Sequence, residues 1–560
     1  MKEIAGTGIG QGVALGTVVR MAERLPEPVD RPSHLDPARE EERARASLSV
    51  VAAELQRRGG LAGGQAKDVL EAQALMANDP ALADEIVQRL AQGKTAERAV
   101  FEAFASFREL LAGMGGYLGE RAADLDDVSQ RVVADLLKVP APGVPNPGHP
   151  FVLVARDLAP ADTATLDLDQ VLGLVTIDGG PTSHTAILAR EKSIVAVVGA
   201  AGASELADGD SVIVDAERDV VVADPTAVQA AEARERIAER ERVAAAPVTA
   251  GALADGTAVP LLANLGSADG AAEALRLGAE GVGLFRTEFL FLDADRAPSV
   301  TEQQAQYTRL LTAFAGKKVV VRVLDAGADK PLSFLNTTDE ENPALGLRGI
   351  RALRSSEVIL REQLTALAAA DAATDAEVWV MAPMIATVEE TRYFTALARE
   401  LGIAVAGVMV ETPSAALIAD RVLEACDFAS IGTNDLTQYT MAADRLLGTV
   451  ANLQSPWHPA VLKLIAEVGA AGSALGKPVG ICGEAAADPL LAVVLVGLGA
   501  TTLSMSPSAL ADVRASLARY GLDDARAIAG AALAAEGAAE AKQAAAEAAA
   551  AIVGVREPAP

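Results

Sequence analysis

Val405-Ala406-Gly407-Val408-Met409-Val410-Glu411 is a run of small and branched apolar residues that ends on a carboxylate. After a helix-length interval comes a second run, Phe428-Ala429-Ser430-Ile431-Gly432-Thr433-Asn434. Short apolar runs bounded by polar residues read as strands buried on both faces, the habit of parallel sheets. Val259 to Leu265, Gly281 to Arg286, Val319 to Asp325, Val378 to Met384, Val479 to Glu484 and Thr501 to Ser504 read the same way. Eight such strands with helices between them predict a (β/α)8 barrel over residues 251–526. That fold carries its chemistry at the C-terminal strand ends, and Arg286, Glu288, Arg322, Asp325, Glu411, Asn434, Asp435, Cys482 and Glu484 all fall there.

Working outward, the 560 residues exceed what one hydrophobic core organises, so about three domains are expected. Residues 1–20 read as short strands broken by glycines, and residues 141–225 resume a mixed strand pattern. Between them, residues 21–140 carry helical periodicity with breaks at Gly59-Gly60, Asn78-Asp79-Pro80, Gly93-Lys94 and Gly113 to Gly119. This predicts a bundle of about four helices inserted into a discontinuous α/β domain. Residues 226–250 read as an exposed charged linker helix, and residues 527–560 as an alanine-rich closing helix with a frayed tail that carries no chemistry.

A net charge of −28 excludes a general nucleic-acid binder or an anionic-membrane binder. Two cysteines 56 residues apart, Cys426 and Cys482, have no metal-ligand spacing and read as reduced thiols. No leader-like start or membrane-length apolar run is evident, so a soluble, cytoplasmic protein is expected. Gly6 to Gly16 resembles a phosphate loop only in composition, since no helix or Gly-Lys-Ser/Thr follows.

One of the four histidines, His184 in Gly179-Gly180-Pro181-Thr182-Ser183-His184-Thr185, stands among small and hydroxylated residues after the apolar run Val171 to Ile177. An imidazole presented there reads as a nucleophile that carries a group covalently, the alternative being a structural histidine. In the barrel, Arg286, Arg322, Arg348 and Arg445 suit a small, multiply anionic ligand held bidentately. Glu411 and Asp435 are hard oxygen ligands of the kind that Mg2+ takes when shared with a phosphorylated substrate. Two readings of Cys482 stay open, a neutral thiol that protonates an enolate carbon and a buried small apolar group. An anion and Mg2+ site in one domain and a reactive histidine in another suggest a phosphoryl relay through phosphohistidine, with the charged linker as hinge.

Five stretches carry a family resemblance: Gly179 to Arg190, Gly281 to Leu290, Val408 to Pro413, Ser430 to Tyr439 and Cys482-Gly483-Glu484. The chain resembles enzyme I of the bacterial sugar phosphotransferase system, the phosphoenolpyruvate-protein phosphotransferases, from residue 1 to about 526. The resemblance implies that phosphoenolpyruvate phosphorylates His184, which passes the group to a histidine of the phosphocarrier HPr docked on the helical insertion. It implies Mg2+ on Glu411 and Asp435, substrate held by Arg286, Arg322, Asn434, Arg445 and backbone near Asp435, Cys482 as proton donor, Thr163 hydrogen-bonded to the imidazole, and a homodimer formed through the barrel. Pro181, where many relatives carry arginine, and Leu446-Leu447-Gly448 after Arg445 depart from the pattern.

Against this stand three other readings. An ATP-dependent dikinase or synthase needs a nucleotide-grasp domain ahead of the histidine domain, where only the bundle is found. An Mg2+-dependent lyase or aldolase acting on a pyruvate enolate, with His184 structural, leaves the bundle idle, and a non-enzymatic scaffold leaves the barrel mouth idle.

Overall fold

The computed structural model describes residues 2–22, 24–61, 64–114, 122–145, 147–158, 166, 170–180, 183–192, 194–291, 296–326, 332, 334–335, 340–445 and 447–556. The chain divides into two compact units, residues 1–237 and 238–560, with the division inside the helix Ala227–Ala245.

The first unit is built on β1 (Lys2–Ala5), β2 (Thr7–Ile9), β3 (Val13–Arg20), β4 (Phe151–Ala155), β5 (Val171–Thr176), β6 (Ala196–Val198), β7 (Ser211–Asp215) and β8 (Val220–Ala223). They form one mixed sheet in the order β1-β8-β7-β3-β4-β5-β6-β2. Strands β3, β4, β5 and β6 run parallel to their neighbours in that series, with Val18 opposite Val152 and Leu174 opposite Ala196. β4 and β6 are buried along their whole length and β5 everywhere but at Leu172, as strands covered on two faces require.

Because β3 and β4 are adjacent, the whole segment between them leaves and rejoins the sheet at one place. It holds five helices among the described residues, Pro37–Leu61, Gly64–Ala77, Pro80–Leu90, Ala96–Met114 and Ala122–Leu137, where the sequence suggested about four. Gly59-Gly60 does not break its helix, which continues to Leu61. Asn78-Asp79-Pro80 does act as a boundary: Asp79 caps the next helix through Ala81 N at 2.7 Å, with Pro80 in its first turn. The bundle closes on its own core of Leu48, Leu55, Leu82, Ile86, Phe104 and Val132.

In the second unit β9 (Leu261–Leu265), β10 (Val282–Arg286), β11 (Lys318–Arg322), β12 (Glu377–Ile385), β13 (Val405–Val410), β14 (Ala429–Ile431), β15 (Val479–Ile481) and β16 (Thr502–Met505) close into a parallel barrel. Closure is made by β16 against β9, Leu503 opposite Leu261. Closing the sheet leaves no edge strand, and the connecting helices cover its outer face. Several begin with reciprocal caps, Ser299 with Glu302 and Thr387 with Glu390.

Beyond residue 526 two helices carry the described chain to Arg556. Leu522–Ala534 and Ala538–Arg556 are helices, and Ala541, Ala545 and Ala549, spaced by four, are buried in the barrel's outer core. Alanine serves there because a methyl group lets two helix backbones approach closely.

Candidate active site

The ends of β10, β11, β13, β14 and β15 bring the mouth of the barrel together. At the end of β10, Arg286 is half-buried and makes no hydrogen bond or ion pair with a described residue; burial and the neighbouring Arg322 guanidinium push its pKa down. Glu288 and Glu484 offset this from a distance, but no carboxylate closes an ion pair with Arg286, which leaves its donors open to an anion.

Arg322, the last residue of β11, is fixed from below. Its Nη2 donates to Glu288 Oε1 at 2.9 Å, and Nη1 lies 3.3 Å from Asp325 Oδ2 and 3.8 Å from Glu411 Oε1. Burial alone would lower its pKa, but Glu288, Asp325 and Glu411 together raise it, so the guanidinium stays charged. Past β11 the chain loses its ladder partner, and side chains take over. Leu324 N donates to Gln363 Oε1 at 2.9 Å and Asp325 N to Glu288 Oε1 at 3.1 Å. Gln363 is itself held by the Tyr307 hydroxyl at 3.0 Å, and Tyr307 donates to Gln303 Oε1 at 3.2 Å. Glu288 stands among the strand-end residues picked out by sequence; Gln363, Tyr307 and Gln303 lie on helices and had no signal beyond being polar among apolar residues.

Arg348 does not stand free for a ligand. Its Nη1 donates to Asp435 Oδ1 at 2.7 Å and its Nη2 to Asp325 Oδ2 at 3.1 Å, so it clamps two carboxylates and supports the site from behind. Arg445 Nη1 also reaches Asp435 Oδ2 at 3.4 Å. Asn434 and Asp435 belong to the first turn of the helix Thr433–Met441, a correction to the strand expected up to Asn434, since β14 stops at Ile431 and Gly432 turns the chain. Asn434 exchanges two hydrogen bonds with Glu484, at 3.3 and 3.2 Å.

Glu411 follows β13, and its Oε2 accepts from Met384 N at 2.8 Å. Met384 adopts φ +58° within β12, where the register with β13 shifts between Ala382 and Ile385; this bulge turns the amide toward the carboxylate. No feature of Val378 to Met384 in the sequence announces it. Burial, then Asp435 and Asp325, raise the Glu411 pKa to about 8. Mutually repelling buried carboxylates fit a divalent cation. Among the described residues no three His, Cys, Asp or Glu side chains are grouped so as to hold a metal ion by themselves.

Cys482 follows β15 and is buried, packed with Leu284, Val320, Met381, Met409 and Phe428; its Sγ lies 3.5 Å from Ile431 O. Burial pushes its pKa up to about 12, which keeps it a neutral proton-bearing thiol at the base of the mouth. Cys426 is a core residue, its Sγ 3.3 Å from both Val422 O and Phe428 O.

In the first unit His184 opens the helix His184–Lys192 after the turn that follows β5. Ser183 Oγ accepts from Ala186 N at 3.2 Å, and the buried Thr185 hydroxyl donates to Asp157 Oδ1 at 2.7 Å. Asp157, just past β4, therefore ties the start of the histidine helix to the sheet, a contact invisible in the sequence because the two residues lie 28 positions apart. Thr163, Pro181 and Leu446 lie outside the described residues.

Residues 240–521 match the model of the PEP-utilising enzyme, PEP-binding domain; residues 147–219 match its mobile domain, and residues 5–121 its N-terminal domain. The phosphoenolpyruvate-protein phosphotransferase of Streptomyces coelicolor is 52% identical over 535 residues, covering 95% of this chain and 96% of that one.

The chain belongs to the phosphoenolpyruvate-utilising enzymes.

Other members similar to it are the phosphoenolpyruvate-protein phosphotransferases of Haloferax volcanii, 40% identical, and Bacillus subtilis, 38% identical, each matched over 94% of this chain and 96% of the relative. The family's three segments are all present, and its PEP-binding match encloses every barrel residue described above. No described helix is long and apolar enough to cross a membrane.

Proposed function

We propose that the protein is the phosphoenolpyruvate-protein phosphotransferase of a sugar phosphotransferase system, an enzyme that moves the phosphoryl group of phosphoenolpyruvate to its own His184 and then to a histidine of HPr. The observation that carries the barrel half of this reading is Arg286, a guanidinium at the mouth that makes no hydrogen bond or ion pair with a described residue, beside the anchored Arg322. Arg286, Arg322 and Arg445 hold the substrate's phosphate and carboxylate, Asn434 and the backbone near Asp435 add hydrogen bonds, and Arg348 keeps Asp325 and Asp435 in place.

The His184 imidazole lends its lone pair to phosphorus as the bond from phosphorus to the enol oxygen breaks, and pyruvate leaves as the enolate. Cys482 gives its thiol proton to the methylene carbon, which yields pyruvate and a thiolate. Glu411 and Asp435 would hold Mg2+, which when bound screens the negative charge of the phosphoryl group and carboxylate. The helices of residues 21–140 dock HPr, and the protein works as a cytoplasmic homodimer joined through the barrel.

The match to all three family segments favours this relay over a lyase with an idle His184. Pyruvate release from phosphoenolpyruvate in the presence of HPr tests it: release that continues over many turnovers and stops in His184→Gln is expected, and undiminished release in that variant would return the lyase reading.

A further inference from the structure

Cys482 stands one residue past β15, whose ladder with β16 ends at Ile481 opposite Leu503. The peptide groups on either side of it are nonetheless both held. The Cys482 amide donates to Ile431 O at 3.1 Å, and the Cys482 carbonyl accepts from Asn264 Nδ2 at 3.0 Å. A peptide group is planar, so pinning the one before and the one after Cα fixes the direction of the Cα–Cβ bond. Only the χ1 torsion is then left to place Sγ, and Leu284, Met381, Met409 and Phe428 pack with Cys482 and restrict it.

Asn264 belongs to β9, two strands from β15 in the barrel with β16 between them, and it engages both. Its Nδ2 also donates to Ser504 O at 3.4 Å, and Ser504 Oγ donates to its Oδ1. The two carbonyls can only accept, which decides the end of the Asn264 amide that faces Cys482. Beyond Cys482 the chain is held again. A Cβ on Gly483 would stand 1.9 Å from Thr433 Oγ1, so this turn packs directly on the start of the next helix, and Glu484 N donates to Asn434 Oδ1 at 3.2 Å.

We propose that Asn264 is a positioning residue for the proton-transfer step: it holds the Cys482 backbone so that the thiol meets the methylene carbon of the enolate. The inference rests on the proposed role of Cys482 as donor. The proton moves from Sγ to carbon with or without Asn264, and what Asn264 sets is how much of the time Sγ lies within reach. Arg322 takes its direction from Glu288, and Arg348 its own from Asp325 and Asp435, so removing Asn264 leaves the anion site standing. Its loss therefore falls on protonation of the enolate and spares binding of phosphoenolpyruvate.

The test is steady-state kinetics of the whole chain with Mg2+, phosphoenolpyruvate and HPr, run in H2O and in D2O, for the parent, Asn264→Ala, Ser504→Ala and Cys482→Ala. The positioning role predicts that Asn264→Ala lowers kcat at least about tenfold and keeps KM for phosphoenolpyruvate within about twofold, since a donor displaced by about 1 Å loses much of its effect. It also predicts a larger solvent deuterium effect on kcat than in the parent, because proton transfer becomes the slow step; a merely structural loosening would slow turnover without that rise. Ser504→Ala, which keeps Asn264 but removes the hydroxyl that orients its amide, should move both readouts the same way by a smaller factor, and it decides the matter if Asn264→Ala does not fold. Parent values of kcat in the variants, or a lower kcat with no rise in the deuterium effect, would overturn the role, as would a raised KM with kcat kept, which would put Asn264 on the substrate instead. Parent-like turnover in Cys482→Ala would remove Cys482 as donor and the inference with it. An unlabelled His184 in the parent after phosphoenolpyruvate labelled on phosphorus would instead overturn the phosphotransferase reading itself.

Discussion

The Glu288 carboxylate holds the Arg322 guanidinium at 2.9 Å inside the barrel, where both are almost wholly withdrawn from water. The same oxygen accepts the Asp325 amide, so one side chain sets both the Arg322 guanidinium and the backbone that carries the Asp325 carboxylate. Removing one partner of such a pair leaves a buried charge uncompensated, at a cost of about 3 kcal/mol. Glu288→Gln is expected to lower unfolding stability by that order and to raise KM for phosphoenolpyruvate more than it lowers kcat, because Arg322 loses its fixed direction. Urea titration and steady-state kinetics check both, and an unchanged KM would deny the positioning role.

Glu411 is expected to make metal-free stability fall with pH. Its folded pKa of about 8 lies above the ordinary carboxylate value of about 4.3, so the folded state binds the extra proton. The contribution is complete below about pH 4.3 and is lost as pH rises through about 8. Glu411→Gln should flatten this decline in chelator-treated protein and weaken Mn2+ binding by at least about tenfold, read by calorimetry or electron paramagnetic resonance. A variant that binds Mn2+ as the parent does would remove Glu411 from the metal site.

Met384 holds its left-handed backbone so that its amide meets Glu411. Met384→Gly should therefore be tolerated at the backbone, losing only side-chain packing. Met384→Val should cost about 1–3 kcal/mol beyond the change in packing and should weaken Mn2+ binding along with stability. Equal Mn2+ affinity in the two variants would show that the bulge does not orient Glu411.

Both thiols are expected to be inert in the native protein. Burial pushes Cys426 and Cys482 up to about 12, against an ordinary thiol value of about 8.5. Neither should react with a thiolate-selective reagent at pH 8 until the chain unfolds. Because folded pKa values are raised, the stability each contributes is complete below about pH 8.5 and drains away toward pH 12. Rapid native modification of Cys482 would contradict its place as a neutral donor.

The barrel was legible because its signal is local: each strand is a short apolar run closed by a polar residue, and Arg286, Arg322, Glu411 and Cys482 follow from that register. What escaped was set by tertiary contact. Gln363 satisfies the Leu324 amide from a helix 39 residues away, and Asp157 reaches Thr185 across the sheet. Asn434 and Asp435 were placed on a strand because Phe428 to Asn434 is apolar enough for one, yet Gly432 ends β14 and the pair opens a helix. Arg348 read as a supporting member of the arginine cluster, and only the fold shows which groups it supports, its fork spent on Asp325 and Asp435. The alanine-rich terminus read as a closing helix, but helix propensity says nothing of packing, and only the fold shows Ala541, Ala545 and Ala549 as a buried stripe.

The central claim is a covalent phosphoryl group on His184 drawn from phosphoenolpyruvate. Its most direct test is incubation of the full-length protein and its His184→Ala variant with Mg2+ and phosphoenolpyruvate labelled on phosphorus, followed by acid and base treatment of the labelled protein. The account predicts one label per chain, acid-labile and base-stable, released with an equal amount of pyruvate and absent from the variant; pyruvate formed without label on the protein, or label that survives in His184→Ala, would contradict it.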